Sequence, residues 1–334
     1  MIKIFDSNLN FLGFLDRFNS FQCSQKYADA GSFSIKAILT KETVKFLKEG
    51  NFIQFEDFAG MIDSIQMNDS AGNVPTITAS GYDLTGLLAS RIIWNDEYYN
   101  GNSEEFLRKI VSDNAINPAD SRRIIPFLAL GELSGLPQTT ERNTKHETLL
   151  EECIKVCKVA DYGFSIDLDT KNKKMNFKIY EGTDRTAGQP QQLIIGKSYD
   201  NVMVQDYTYS SKDEITTCLV VAEETSVSIG EEAAGLKRKE TFLESSTTKE
   251  ELTTEQFQNV LKSEGNEQLN STIQCFDIDI FNTTLSIGDK ITVKEKDWNI
   301  LFHTRVEEKQ TTLESGIKTI SFLLGKDIKM EVKN

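Results

Sequence analysis

The chain has 334 residues, of which 39% are hydrophobic, and its 37 basic and 51 acidic side chains give a net charge of −14. This length predicts two or three domains that each bury a core, and the sequence has no apolar run long enough to cross a membrane. The acidic residues are spread along the chain and are not confined to a tail. This distribution argues against sequence-specific nucleic-acid binding, which requires a basic surface that contacts phosphates.

The first block, residues 1–94, is predicted to be a small β-barrel. Its apolar residues recur with period two, as in FSIKAIL and TITAS. MIKIFDSNLNFLGFL predicts a hairpin that turns at Asn8 and Asn10, not a signal peptide. One helix is expected at 41–48, after the N-cap Thr40.

The middle block, residues 95–197, changes to a helical period and is predicted to be an α+β domain. One helix follows the possible cap Ser103, and a second is expected at 144–159. FSIDLD and KMNFKIYEG, separated by a polar turn, predict a hairpin. The loop 117–142 carries three prolines and is the most irregular segment.

The last block, residues 198–334, returns to strands, among them ITTCLVVAEE, KRKETFLES and KTISFLLG. We predict a second β-barrel with a helical insertion at about 236–270. The helix in this insertion is expected at 253–269.

A near-repeat relates the first block to the last. LKEGNFIQF and LSIGDKITV place Gly50 and Gly288 just before a strand, each followed by Asn or Asp. FSIKAIL, LKEGNFIQF, GMIDSIQMND and PTITASG occur in the same order as FDIDIF, LSIGDKITV, ILFHTRVEEK and KTISFLLG. The predicted fold is therefore α+β and β-rich, with two similar small barrels flanking an α+β domain. Three such chains present six similar barrels, so a threefold protein can match a sixfold one.

SFQCSQKYADAGSFSIKAIL, SGYDLTGLLASRIIW, YEGTDRT and VMVQDYTYS resemble, in content and order, the tail proteins of siphophages and related tail-like particles. That group is similar in architecture to the baseplate hub of contractile tails. The resemblance implies a structural homotrimer that closes the tail tube and adapts it to a threefold spike. It implies a channel for DNA or the tape-measure protein, and the acidic composition suits passage of DNA.

The resemblance also implies partners and a location. The neighbours would be a tail tube or distal tail ring, a central spike or fibre protein, and the tape-measure protein. The particle would be assembled in the host bacterial cytoplasm, in keeping with five cysteines that lack framework spacing. Since the last strand pattern ends at Gly325, we expect no cell-wall hydrolase domain after it.

Several residues are candidates for chemical sites. His146, Cys153 and Cys157 lie at i, i+7 and i+11, but no second group of ligands accompanies them, so a core stripe is favoured over zinc. His303 is interpreted as a barrel-surface or interface residue. We predict no catalytic site, metal or cofactor.

Other polar residues are interpreted as structural. In YEGTDRT, Glu181 and Asp184 beside Arg185 could suggest the paired carboxylates of a glycoside hydrolase, but a turn at Asp184 with a salt bridge from Arg185 to the neighbouring domain is favoured. Arg91 is an interface candidate within the resembling stretch, together with Gly50, Gly288, Asp184 and Arg185. Arg122 and Arg123 are interpreted as a solvated loop pair, with an intersubunit salt bridge as the alternative.

Two other classes of function remain open. A carbohydrate-binding module for the host surface requires exposed aromatic rings, for which Trp94, Tyr98 and Tyr99 form the dense cluster, although packing at a domain junction is favoured. An enzyme ranks third, because the sequence shows no nucleophile-base pair, metal-ligand set or cofactor loop.

Overall fold

The computed structural model describes residues 1–144, 146–230, 233–249, 252–270, 273–280 and 284–325, and for 273–277 and 280 it describes only the backbone. These residues form twenty-two strands and four α-helices, which confirms the predicted β-rich, α+β class. No helix within the described ranges has the length and apolarity to cross a bilayer.

The first β block packs two sheets around one core. Its elements are β1 (Ile2–Phe5), β2 (Phe11–Leu15), β3 (Ser20–Lys26), β4 (Ser32–Ile38), α1 (Lys41–Phe46), β5 (Phe52–Phe55), β6 (Phe58–Met61), β7 (Ser64–Asn68), β8 (Thr76–Tyr82) and a 3₁₀ helix (Leu84–Ser90). The predicted hairpin at Asn8 and Asn10 is confirmed, because Asp6 Oδ1 accepts both of their backbone N–H groups. The predicted helix after Thr40 is also confirmed.

The middle block consists of β9 (Glu97–Asn102), α2 (Ser103–Val111) with a π-helical turn (Ser112–Ile116), a 3₁₀ turn (Ser121–Arg123), β10 (Leu128–Leu130), β11 (Thr139–Thr144), α3 (Leu149–Ala160), β12 (Gly163–Asp169) and β13 (Lys174–Tyr180). The hairpin of β12 and β13 is confirmed. The first predicted cap was wrong by one residue, since Asn102, not Ser103, accepts the N–H of Glu105.

The second predicted helix of this block begins five residues later than expected. Thr148 caps α3 by accepting the N–H of Glu151, whose carboxylate contacts the Thr148 backbone and hydroxyl in return. This capping box sets the start of the helix, so His146 lies before it, with a left-handed φ of 57°.

The last β block has a three-stranded insertion that begins before the predicted start at about 236. In chain order the elements are β14 (Ile194–Ile195), a 3₁₀ turn (Lys197–Tyr199), β15 (Val202–Ser210), β16 (Thr217–Ala222), β17 (Thr225–Gly230), a 3₁₀ turn (Gly235–Lys237), β18 (Glu240–Glu244), α4 (Thr254–Gln268), β19 (Ile273–Ile280), β20 (Lys290–Glu295), β21 (Ile300–Glu314) and β22 (Ile317–Leu324). Strand pairing to β20 already begins at Asp184, before the predicted boundary at 197.

The prediction placed ITTCLVVAEE in the second barrel, which was wrong, and KRKETFLES within the insertion at about 236–270. They form β16 and β18, which pair with β17 in a separate sheet of order β17-β16-β18. Helix α4 covers this sheet, and Phe257 and Leu261 pack on Cys218 and Val220. The helix predicted at 253–269 is confirmed.

Apart from this insertion, the last block repeats the strand pairing of the first. In the first block β3 pairs with β4, β4 with β8, β8 with β7, and β5 with β6. The corresponding pairs in the last block are β15 with β19, β19 with β22, β22 with β21, and β20 with β21. All eight pairs are antiparallel, so the internal repeat is present in the topology.

The two repeats share one continuous sheet. Its order is β15-β19-β22-β21-β3-β4-β8-β7, and the junction is the antiparallel pair of β21 and β3, from Glu308 opposite Lys26 to Glu314 opposite Ser20. In the order of the sheet, the last strand of one repeat, β21, is thus hydrogen-bonded to the first strand of the other, β3, which arranges the repeats head to tail.

Candidate functional site

One face of the continuous sheet is buried and the other is mainly polar. Successive side chains of a strand point to opposite faces, and Phe21, Ile35 and Ile77 point into the core while their neighbours do not. By strand register, the opposite face carries the polar side chains of Ser20, Gln22, Ser24, Lys26, Ser32, Ser34, Lys36, Ser64, Gln66, Asn68, Thr76, Thr78, Ser80, Asp206, Thr208, Ser210, Asp279, Glu308, Gln310, Thr312, Glu314, Thr319 and Ser321. We call it the polar face.

Short hydroxyl and amide side chains dominate the polar face, and its charges are few. Among described residues its carboxylates are Asp206, Asp279, Glu308 and Glu314, and its ammonium groups are Lys26 and Lys36. A groove of about 470 Å³ crosses the junction of β21, β3 and β4 on this face. The polar face is therefore expected to bind a polyanion weakly, because strong contacts to phosphates require clustered Lys or Arg side chains.

The two repeat glycines make the same hydrogen bonds. Gly50 N–H donates to Ile62 O, and Ile62 N–H donates to Asn51 O, both at 2.9 Å. In the last block Gly288 N–H donates to Val306 O at 2.8 Å, and Val306 N–H donates to Asp289 O at 2.9 Å. Both glycines have positive φ, 79° and 90°, as the turn requires.

Only one of these glycines is crowded. Nothing lies within 4 Å of a Cβ built on Gly50. A Cβ on Gly288 would lie 2.6 Å from Tyr27 Cε2, and one on Gly182 would overlap the Gly288 carbonyl. Gly288 therefore lies at a place where three parts of the chain meet closely.

Tyr27 is the centre of this meeting point, which we call the three-block junction. The residue is 3% exposed, and its hydroxyl donates to Asp161 O at 3.0 Å. Its backbone N–H donates to Glu307 O, and its carbonyl accepts from Phe164 N–H. Burial raises the pKa of the Tyr27 phenol well above its usual value, so the hydroxyl stays protonated and donates.

Arg305 completes the three-block junction. Its guanidinium carbon is 4.4 Å from the centre of the Tyr27 ring, and Nη1 donates to Gly288 O at 2.8 Å. Nη2 pairs with Asp161, which Lys290 Nζ also contacts at 3.0 Å. Sequence reasoning missed this cluster, because Tyr27, Asp161 and Arg305 are each separated by more than a hundred residues and no local pattern connects them.

Asp184 and Arg185 border the same junction. Asp184 Oδ1 accepts from Thr186 N–H at 3.0 Å and from the Thr186 hydroxyl at 2.7 Å, which closes a local turn. Arg185 Nη1 donates to Thr284 O at 2.8 Å and pairs with Asp289 at 3.2 Å. The pair thus lies between the middle block and β20, beside the repeat position of Gly288.

Arg91 lies apart from that junction. Its guanidinium donates to the backbone carbonyls of Ser90, Arg123 and Ile124, which attaches the irregular loop to the first block. Arg123 in turn lies over the Trp94 ring at 4.7 Å. Arg122 pairs with Asp120 at 2.7 Å and is exposed.

The aromatic cluster does not form one platform. Tyr98 and Tyr99 are neighbours in β9 and therefore point to opposite faces. The Tyr98 hydroxyl donates to Glu141, and Tyr99 stacks on Phe106 with ring centres 4.9 Å apart. Trp94 is 58% exposed and packs with Arg123.

The helix-face cluster of His and Cys is divided by the cap of α3. Cys153 and Cys157 are fully buried in the middle-block core, and burial raises the pKa of both thiols. His146 is exposed and outside the helix, so the predicted i, i+7, i+11 face was wrong. In the described part of the chain no cluster of His, Cys, Asp or Glu could hold a metal ion, and the side chain of Cys275 lies outside that part.

His303 Nδ1 is 2.8 Å from the Thr292 hydroxyl in a strand pair.

A buried ion cluster joins the insertion to the middle block, and no sequence pattern indicated it. Arg142 Nε and Nη2 donate to the two carboxylate oxygens of Glu152, each at 2.9 Å. Its Nη1 pairs with Glu267 of α4. Burial raises the pKa of Glu152, and Arg142 opposes that rise.

The chain resembles three solved phage tail proteins in fold. The chain superposes on a 43 kDa tail protein of prophage MuSo2 from Shewanella oneidensis with a TM-score of 0.60 at 14% identity. The superposition covers 97% of this chain and 97% of the MuSo2 protein. A prophage tail protein, gp18, from Listeria monocytogenes EGD-e gives 0.59 at 12% identity, with 98% and 95% covered. The tail protein from Neisseria meningitidis MC58 gives 0.58 at 11% identity, with 98% and 96% covered.

No curated protein sequence matches the chain. A family model described as Siphovirus ReqiPepy6 Gp37-like protein matches residues 1–326. This match confirms the predicted resemblance to siphophage tail proteins, because it covers nearly the whole chain. The chain belongs to the Siphovirus ReqiPepy6 Gp37-like protein family.

Proposed function

We propose that this protein is a structural, non-enzymatic component of a phage tail or tail-like particle, a hub that assembles as a ring of three chains. The observation that carries the proposal is the head-to-tail pair of repeats in one continuous sheet with a polar face. Three chains bring together six such repeats, so the ring matches a sixfold tube on one side and a threefold spike on the other.

The polar face supplies the wall of the channel in this proposal. Ser, Thr and Gln side chains hydrate well, and the few carboxylates repel phosphates at short range. With no arginine and two lysines among its described residues, the wall does not hold DNA by counterion release. DNA or the tape-measure protein passes through it, between a tail tube or distal tail ring and a spike or fibre protein.

The three-block junction gives the hub its rigidity. It fixes both repeats and the middle block to one another through Tyr27 and Arg305. A ring that closes needs a constant angle between repeats, and packed, hydrogen-bonded contacts provide it. The proposed location is the virion tail, after assembly in the host cytoplasm.

The proposal is tested by the solution mass of the protein. Sedimentation velocity over a concentration series is expected to show a species of three times 37.7 kDa, about 113 kDa. Class averages from electron microscopy should show a ring with a central opening and six similar lobes. A monomer at every concentration, or compact particles without an opening, would contradict the proposed ring.

A further inference from the structure

The continuous sheet ends in two free edges, β7 and β15. In the described residues β7 pairs only with β8, and β15 pairs only with β19. β15 is nine residues long and carries exposed apolar side chains, with Met203 69%, Val204 52% and Tyr209 60% exposed. A long apolar edge strand is a template for pairing with another strand.

The two free edges are the repeat equivalents of the two strands that pair inside the chain, β21 and β3. Thr76-Ile77-Thr78 in β8 corresponds to Thr319-Ile320-Ser321 in β22, because their partners in β4 and β19 also correspond. By this correspondence β7 is the equivalent of β21, and Gln66 corresponds to Gln310. β15 is likewise the equivalent of β3. Inside the chain, β21 pairs with β3.

We propose that β7 of one chain pairs with β15 of a second copy of this chain, antiparallel and in the register of the internal junction. At that junction Gln310 lies opposite Ser24. The equivalent contact places Gln66 of one copy opposite Thr208 of the next. This inference rests on the proposed ring, and it names the strands and residues that close it.

The chemistry of the two edges fits this register. Ile65 comes opposite Tyr209, and Met67, which is 53% exposed, comes opposite Tyr207. Those four side chains all point away from the polar face, so pairing buries their apolar surface together. On the polar face Gln66 meets Thr208, and no like charges face each other.

The geometry also explains why the assembly closes. The pairing is heterologous, since β7 and β15 are different surfaces, and such contacts build rings or filaments. The internal junction repeats the same contact between the two repeats of one chain, so each step from repeat to repeat turns by a similar angle. A ring of six repeats then has three internal and three interchain junctions.

Disulfide trapping tests the register. Facing residues of an antiparallel pair have Cα atoms about 4.5–5.5 Å apart, within reach of a disulfide. A chain with Gln66→Cys and Thr208→Cys should form crosslinked dimers and trimers on mild oxidation. Ser24→Cys with Gln310→Cys is the matched positive control and should crosslink within one chain. Gln66→Cys with Val204→Cys is the off-register control, about 13 Å away along the strand, and should not crosslink.

A second measurement separates this inference from the proposed ring. Tyr209→Lys should raise the Kd for chain association by about tenfold or more, while the chain keeps its circular dichroism spectrum. Phe242→Lys, on the insertion sheet and equally 60% exposed, is the control and should leave the Kd unchanged. A 113 kDa trimer without the 66–208 crosslink, or one unaffected by Tyr209→Lys, refutes the strand pairing and leaves the ring. A monomer at every concentration refutes both.

Discussion

The equivalent glycines of the two repeats allow a matched test of the three-block junction. Gly50 and Gly288 have similar positive φ values, 79° and 90°, and equivalent pairs of backbone hydrogen bonds. Alanine at either position occupies the left-handed region, at a cost of about 1–2 kcal/mol. If local conformation were the whole effect, Gly50→Ala and Gly288→Ala would reduce the free energy of unfolding equally.

The surroundings of the two glycines predict that the two substitutions reduce the free energy of unfolding by different amounts. A Cβ at Gly288 lies 2.6 and 2.9 Å from two ring carbons of Tyr27, and the ring cannot retreat because Arg305 and the carbonyl of Asp161 hold it. Overpacking of this kind costs about 1–3 kcal/mol. We therefore expect Gly288→Ala to cost about 2–5 kcal/mol in total, against about 1–2 kcal/mol for Gly50→Ala.

Urea unfolding followed by circular dichroism and tryptophan fluorescence measures both values. The decisive control is a double-mutant cycle with Tyr27→Ala, which removes the ring that alanine at 288 would meet. In that background the cost of Gly288→Ala should fall to that of Gly50→Ala. Equal costs for the two glycines in the wild-type background, or a Gly288→Ala cost that Tyr27→Ala does not relieve, would refute the reasoning.

Two further substitutions test contacts at the domain boundaries. Arg142→Ala leaves the carboxylates of Glu152 and Glu267 without their shared cation, so we expect a loss of about 3–5 kcal/mol near neutral pH. Burial raises the pKa of Glu152 above its unfolded value, so the folded variant takes up a proton and its deficit should shrink as pH is lowered from 7 to 5, measured by urea unfolding. Asp184→Ala removes the two hydrogen bonds to Thr186 and should cost about 1 kcal/mol. A thermal melt unchanged from the wild type would show that this turn does not support the fold.

Local patterns predicted the secondary structure well where the signal was contained in a few residues. Asp6, Thr40 and Thr253 each satisfy backbone N–H groups within four residues, so a turn or cap could be expected from the residue type alone. The helix was predicted to begin at Thr144, but Thr148 and Glu151 form the capping box that sets its start at Leu149. Two start signals competed, and the stronger cap set the boundary.

The candidate residues also fall into two groups, those that the sequence indicated and those that only the structure revealed. Gly50 and Gly288 were found from the repeat, since a turn that requires positive φ selects glycine locally. Tyr27, Arg305 and Arg142 were not found, because each gains its importance from partners that the chain brings close only on folding. A buried arginine in a strand carries no distinguishing mark in the sequence.

The sequence by itself determined the β-rich class, the internal repeat and the acidic, phosphate-repelling character, since these follow from period, order and composition. The tertiary structure alone decided that β21 pairs with β3, and with it which carboxylates lie on the polar face. It also separated β16, β17 and β18 from the second repeat. The physical reason is that strand partners and register depend on contacts between distant segments, whereas the tendency to form a strand or a turn is a property of neighbouring residues.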